Sequence, residues 1–183
     1  MEFIVFDLEA TCWETPQQAA NKTQEIIEIG AVKVDEDGEI IGQFSEFIRP
    51  VVHTQLTDFC QKLTSISQVD VNKARTFTEV VADFKEWIGV EDGNEYLFAS
   101  WGFFDQRALS KNCVLHKLAD AWTLPHISLK HQYPRVKGLY RTLGLKSAVE
   151  KEGFEFEGTH HRAISDALNL TKIFSKYLSQ WQY

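Results

Sequence analysis

The first apolar run of the chain shows no alternation. Phe3, Ile4, Val5 and Phe6 follow one another until Asp7, the pattern of a strand buried on both faces that ends at a carboxylate. Residues 25–34 and 39–47 are β-rich and flank Asp35-Glu36-Asp37-Gly38, which predicts a hairpin turning on a glycine at positive φ. Beyond residue 76 the period lengthens. Phe77, Val80, Val81, Phe84, Trp87 and Ile88 recur every three or four positions, an amphipathic helix with Thr76 or Thr78 as its cap. A short strand over 95–99, a helix over 105–116, a weaker strand over 126–129, a helix from about Pro134 and a closing helix from Arg162 toward Trp181 complete the pattern. Strands first, then alternating helices and strands, predict an α/β domain. Its first three strands should be antiparallel and the later ones should add in parallel.

Composition narrows this reading. A chain of 183 residues, 44% hydrophobic and 13% aromatic, fills one sizeable core and leaves little for a second, so residues 1–183 are read as one domain. No apolar run approaches the roughly 20 residues that span a bilayer. Met1-Glu2-Phe3 has no basic start of the signal-peptide kind, so a cytoplasmic protein is expected. Cys12, Cys60 and Cys113 are odd in number and lack paired spacing, and are expected to be reduced thiols. A net charge of −7 argues against a broad footprint on duplex nucleic acid. Residues 121–149 nevertheless contain no Asp or Glu and hold Lys130, Arg135, Lys137, Arg141 and Lys146, either a solvated face or a track for a strand.

Three places carry carboxylates that the apolar pattern does not explain. Asp7 and Glu9 lie two apart at the end of the first strand, on one face and roughly 6–7 Å apart along the backbone. Buried, they need a positive partner, and no Arg or Lys is adjacent. A hard divalent cation is one answer, and emergence into solvent is the other. Asp166 shares a helical stripe with Ala163, Leu170, Ile173 and Tyr177 and poses the same problem. His161, five residues earlier, is either a proton acceptor near neutral pH or a residue of the helix start; its neighbour His160 is read as structural. Asp105 follows an apolar strand and the turn 100–104, where Asp is either a helix cap or a ligand. Phe103 and Phe104 beside it are core residues or a platform for a base.

Together, FDLEAT (6–11), SWGFFD (100–105) and HRAISDALN (161–169) resemble the three exonuclease motifs of the DEDD superfamily. A His five residues before the last Asp is similar to the DEDDh branch. The wording around them (DLEATCW, LTSIS, SWGxxD, HHRAxSDAxN) most resembles the histone-mRNA and small-RNA exonucleases linked to RNA interference, and bacterial KapD-type relatives. The resemblance implies a ribonuclease H-like α/β fold, a mixed five-stranded sheet flanked by helices. It implies two magnesium or manganese ions on Asp7, Glu9, Asp105 and Asp166, roughly 3.5–4 Å apart, with His161 deprotonating the attacking water. The product would be a nucleoside 5′-monophosphate released from a 3′ end.

The same resemblance implies that the backbone of Ala10 and Thr11 meets the terminal 3′ hydroxyl, and that the segment with Leu63 and Thr64 wedges beside the terminal base. It implies that Phe104 stacks on that base and that Phe77 forms a second wall. With no nucleic-acid-binding extension or basic tail in the sequence, the expected substrate is a short single-stranded 3′ end, RNA before DNA, rather than structured RNA. Three other readings stand beside it. Asp7-Leu8-Glu9-Ala10-Thr11 brushes the DxDxT motif of haloacid-dehalogenase-type phosphatases, with Glu for the second Asp and no later paired-acid motif. The others are a proofreading-type DNA exonuclease and a catalytically silent RNA-binding module on the same fold. The oligomeric state is not legible in the sequence.

Overall fold

The computed structural model describes residues 1–183. The opening apolar run is strand β1 (Glu2–Ala10), followed by a single turn of helix α1 (Pro16–Ala19), then β2 (Ile26–Val34) and β3 (Ile40–Arg49). β2 pairs antiparallel with both β1 and β3. The connecting turn closes as expected: Asp35 Oδ1 accepts the N–H groups of Asp37 and Glu39, and Gly38 takes φ 89°.

Two short helices, α2 (Asp58–Thr64) and α3 (Gln68–Lys73), lead to the two-residue strand β4 (Arg75–Thr76). The amphipathic helix α4 (Phe77–Ile88) is capped by Thr76, whose backbone N–H and hydroxyl both reach the Glu79 carboxylate. Then come β5 (Tyr96–Ser100), α5 (Phe104–Leu115), β6 (His126–Ser128), α6 (Leu129–Lys137), α7 (Leu145–Lys151) and α8 (Ala163–Lys176). The sheet order is β4-β3-β2-β1-β5-β6, with β5 parallel to β1 and β6 parallel to β5.

β1 is central and covered on both sides, which is why its sequence does not alternate. Phe3 and Val5 point to a core shared with α6, α7 and α8, while Ile4, Phe6 and Leu8 point to one shared with α4 and α5. Successive side chains of one strand thus supply two separate cores.

The sheet has six strands rather than the expected five. The sixth, β4, pairs Arg75 and Thr76 with Ile48 and Arg49 at the sheet edge, and two residues are too few to show a period. α6 begins at Leu129 and carries Pro134 inside it, because Leu129 and Tyr133, one turn apart, are both buried. α8 stops at Lys176, and a 3₁₀ turn (Leu178–Gln180) follows. The cysteines are free thiols, and no helix is long and apolar enough to cross a membrane.

Candidate active site

Three elements deliver acids to the C-terminal end of β1. Asp7 and Glu9 come with the strand itself. Asp105 comes with the first turn of α5, where Gly102 at φ 131° turns the chain out of β5. Asp105 is 5% exposed, and its Oδ1 accepts the Leu8 N–H at 3.2 Å, tying α5 to the strand between the two β1 acids. Asp166, 3% exposed, comes with the first turn of α8.

The placement of α8 rests on residues that the motif reading passed over. Arg162, its N-cap, supplies no side-chain cap. Glu28 of β2 takes over: one oxygen accepts the Ala163 N–H at 2.9 Å, and the carboxylate receives the Arg162 guanidinium at 2.9–3.2 Å. An anion at a helix N-terminus is favourable for the same reason as any cap there. The guanidinium also lies over the Phe47 ring, 4.9 Å from its centroid. Two residues along β2, a Cβ on Gly30 would fall 2.1 Å from the Ile164 nitrogen. Only glycine lets the helix start this close to the sheet. A carboxylate inside the apolar run Ile26-Ile27-Glu28-Ile29 was the signal available in the sequence.

One oxygen from each of Asp7, Glu9 and Asp166 falls in a group within 4.8 Å. Asp105 stands outside that tight group but acts on it electrostatically. Burial, then the charges of Asp105, Asp166 and Glu9, push the Asp7 carboxyl well above the usual carboxylate range. Glu9 is raised to about 8 by burial and then by Asp166, Glu28 and Asp105. Asp105 is raised by burial to about 6, against the opposing hydrogen bonds from Leu8 and Ser100. Like charges this close cannot all ionise unaided. An all-oxygen, carboxylate-rich donor set with unmet negative charge fits a hard divalent cation such as magnesium or manganese.

Both histidines meet the same acid. His160 Nδ1 lies 3.0 Å from Asp166 Oδ1, and the His161 N–H donates to Asp166 Oδ2 at 3.1 Å. Their rings stack with centroids 4.0 Å apart. His160 therefore belongs to the site, contrary to its reading as a structural bystander. His161 sits at φ 64°, a left-handed conformation that non-glycine residues adopt rarely and often at functional sites. Burial, and then the neighbouring His160, hold its pKa below the ordinary imidazole value, against the pull of Asp166.

The residues assigned to substrate divide. Phe104 is half exposed and lines an open cleft beside Asp105. Leu63 is exposed at the end of α2. Thr64 is fully buried, its hydroxyl donating to the Cys60 carbonyl and accepting the Ile66 N–H, so it shapes the turn and presents nothing outward. Ala10 and Thr11 are buried, and the Thr11 N–H donates to the Glu25 carbonyl at 2.8 Å, which leaves that donor engaged. Phe77 is 1% exposed and stacks on His116 within the core. It is a core residue, as its helical spacing indicated, and no base can reach it. Lys137 is also removed from the basic stretch, since it bonds Glu152 and the Tyr177 hydroxyl.

An acid cluster at the end of the central strand of such a sheet, closed by a helix that two histidines immediately precede, defines a nuclease-type site. The family model described as Exonuclease matches residues 4–174, and the chain belongs to that family. It is similar to the probable 3′-5′ exonuclease KapD of Bacillus subtilis (strain 168), 28% identical over 98% of this chain and 86% of the relative. It is similar to human 3′-5′ exoribonuclease 1, 30% identical over 95% of this chain but about half, 51%, of the relative. The solved nuclease domain of 3′hExo, a DEDDh family member bound to rAMP, superposes with a TM-score of 0.88 at 29% identity, covering 97% of this chain and 92% of that one.

Proposed function

We propose that the protein is a metal-dependent 3′-to-5′ exonuclease of single-stranded ends, acting on RNA in preference to DNA and releasing nucleoside 5′-monophosphates. The observation that carries this reading is the convergence of Asp7, Glu9 and Asp166 oxygens within 4.8 Å, with Asp105 behind them and His161 beside them. The RNA preference is supported by the relative named an exoribonuclease and by the rAMP-bound neighbour.

Two divalent ions, magnesium or manganese, held by Asp7, Glu9, Asp105 and Asp166, would acidify the attacking water and stabilise charge on the leaving 3′ oxygen. The chain's own groups do the rest. His161 accepts the proton of the water as its oxygen forms a bond to the terminal phosphorus. The bond from phosphorus to the 3′ oxygen of the preceding nucleotide breaks, and that oxygen is protonated from solvent. Asp166 holds the His161 backbone and the His160 ring, fixing the base against the acids. Exposed Leu63 and Phe104 are the residues this reading assigns to the terminal base, with Phe104 offering a face for stacking.

The test is digestion of 5′-labelled single-stranded RNA and DNA of one sequence with magnesium, manganese or chelator. A metal-dependent ladder shortening from the 3′ end, faster on RNA, is expected. A faster DNA ladder would move the substrate to DNA. No shortening of either strand by folded protein would favour the silent binding module.

A further inference from the structure

The open cleft at Phe104 has a volume of about 760 Å³, within the roughly 300–1,000 Å³ range of ligand sites. Its composition is unusual for a chain with net charge −7. Lys22, Arg107, Lys111 and Lys130 line it, and no Asp or Glu does. They come from three stretches far apart in sequence: the segment before β2, two successive turns of α5, and the start of α6. None of the four takes part in an ion pair, whereas Lys33, Arg75, Lys85, Lys137, Arg162, Lys172 and Lys176 all do. The cleft also has an aromatic wall. Phe103, 40% exposed, is stacked against His131 at 4.8 Å between centroids, and the Arg107 guanidinium lies 5.5 Å from its ring.

We infer that this cleft is the track for the nucleotides immediately 5′ of the scissile end, an inference that rests on the exonuclease reading above. Free cations without acidic neighbours match a run of phosphates. An exposed ring backed by a second ring gives an unpaired base a surface to stack on. Phe104 lines the cleft and the next residue, Asp105, belongs to the acid cluster, so the first turn of α5 links the two. The occupant is single-stranded, because its bases must be unstacked from a partner strand to reach Phe103. The track thus crosses α5, and the Arg135–Lys137 end of α6 is not its centre.

The test uses the double variant Arg107→Ala/Lys111→Ala and two substrates: an eight-nucleotide single-stranded RNA, and the p-nitrophenyl ester of a nucleoside 5′-monophosphate, which has nothing upstream. The variant should raise KM for the octamer roughly tenfold and flatten the salt dependence of kcat/KM by about 1.4 in log–log slope, for two lost phosphate contacts on a single strand. Ester hydrolysis should stay within about twofold of the parent, as expected for a uniform loss of remote binding. An unchanged octamer KM and salt slope would overturn the assignment, and so would an equal loss on both substrates. Octamer binding by fluorescence anisotropy in calcium separates this inference from the reading beneath it. If the parent binds and the variant does not, while neither cleaves in magnesium or manganese, the track stands and the exonuclease reading falls. If the parent cleaves and both bind alike, the track falls alone.

Discussion

A cluster of enclosed carboxylates and a single one elsewhere in this molecule have opposite electrostatics. At one end of the sheet, Asp7, Glu9, Asp105 and Asp166 face one another, and burial plus mutual repulsion lift Asp7, Glu9 and Asp105 above the ordinary carboxylate range. At the far end of α8, beside Lys176 and Tyr177, the Glu152 side chain is also buried. Burial alone would raise it too, yet hydrogen bonds from Lys176, Tyr133, Tyr177 and Lys137 bring it down to about 2. Its oxygens meet Lys137 at 3.2 Å, Lys176 at 2.8 Å and the Tyr177 hydroxyl at 2.7 Å. One group is satisfied by the fold, and the other waits for charge from outside. That difference separates an acid kept for stability from acids kept for chemistry.

The comparison predicts opposite outcomes when each side is cut. Asp166→Ala should lower turnover by on the order of 10⁴-fold, as loss of one member of a concerted set does, while the melting temperature of the metal-free protein stays level or rises. Steady-state kinetics beside a thermal melt checks both halves. His161→Ala should cost roughly 10²–10⁴-fold in rate, the span of general-base catalysis, with manganese binding retained by calorimetry. Glu152→Ala should do the reverse. It leaves the buried Tyr133 hydroxyl without its acceptor and the solvent-reaching Lys137 and Lys176 without their partner, and should lower stability by about 1–3 kcal/mol, measured by denaturant unfolding, with the rate per folded molecule unchanged.

A smaller effect sharpens the contrast through pH. Glu152, depressed in the fold, contributes stability that is present above its unfolded pKa near 4.5 and is lost as pH falls toward about 2. Glu9, raised to about 8, has the opposite sign. The fold binds its proton more tightly than the unfolded chain does, so its contribution is whole below about 4.5 and is lost as pH rises toward 8. Metal-free protein should therefore be most stable near pH 4.5, where the two windows meet, and Glu9→Gln should flatten only the alkaline limb. A melt series across pH that shows an unchanged alkaline limb in Glu9→Gln would remove Glu9 from the coupled cluster.

Much of this was legible in the residues. An apolar run that ends in Asp7 and Glu9, a helix stripe interrupted by Asp166, and an acid after a turn at Asp105 are local patterns, and each survived folding intact. What escaped depends on contacts between distant segments. β4 is a strand only because β3 lies beside it. Glu28, Gly30 and Arg162 acquire meaning only when α8 docks on β2. Lys22, Arg107, Lys111 and Lys130 are unremarkable singly, and the fold gathers them. Lys137 looked free within a basic stretch until Glu152 arrived from α7's end. Phe77 shows the converse: its helical spacing already placed it in the core, and resemblance alone suggested a substrate wall.

The central claim is that the acid cluster is a cation site left partly protonated until a cation arrives. Calorimetric titration of manganese into the purified protein at pH 7.5, repeated in two buffers of different ionisation enthalpy, tests it directly. Because burial and the neighbouring acids push Glu9 up to about 8 and Asp7 well above its ordinary value, binding should expel protons, and the apparent heats should differ between the buffers. Asp7→Asn should weaken or abolish the binding. Saturable binding with identical heats in both buffers, or no binding by the folded parent, would contradict the account.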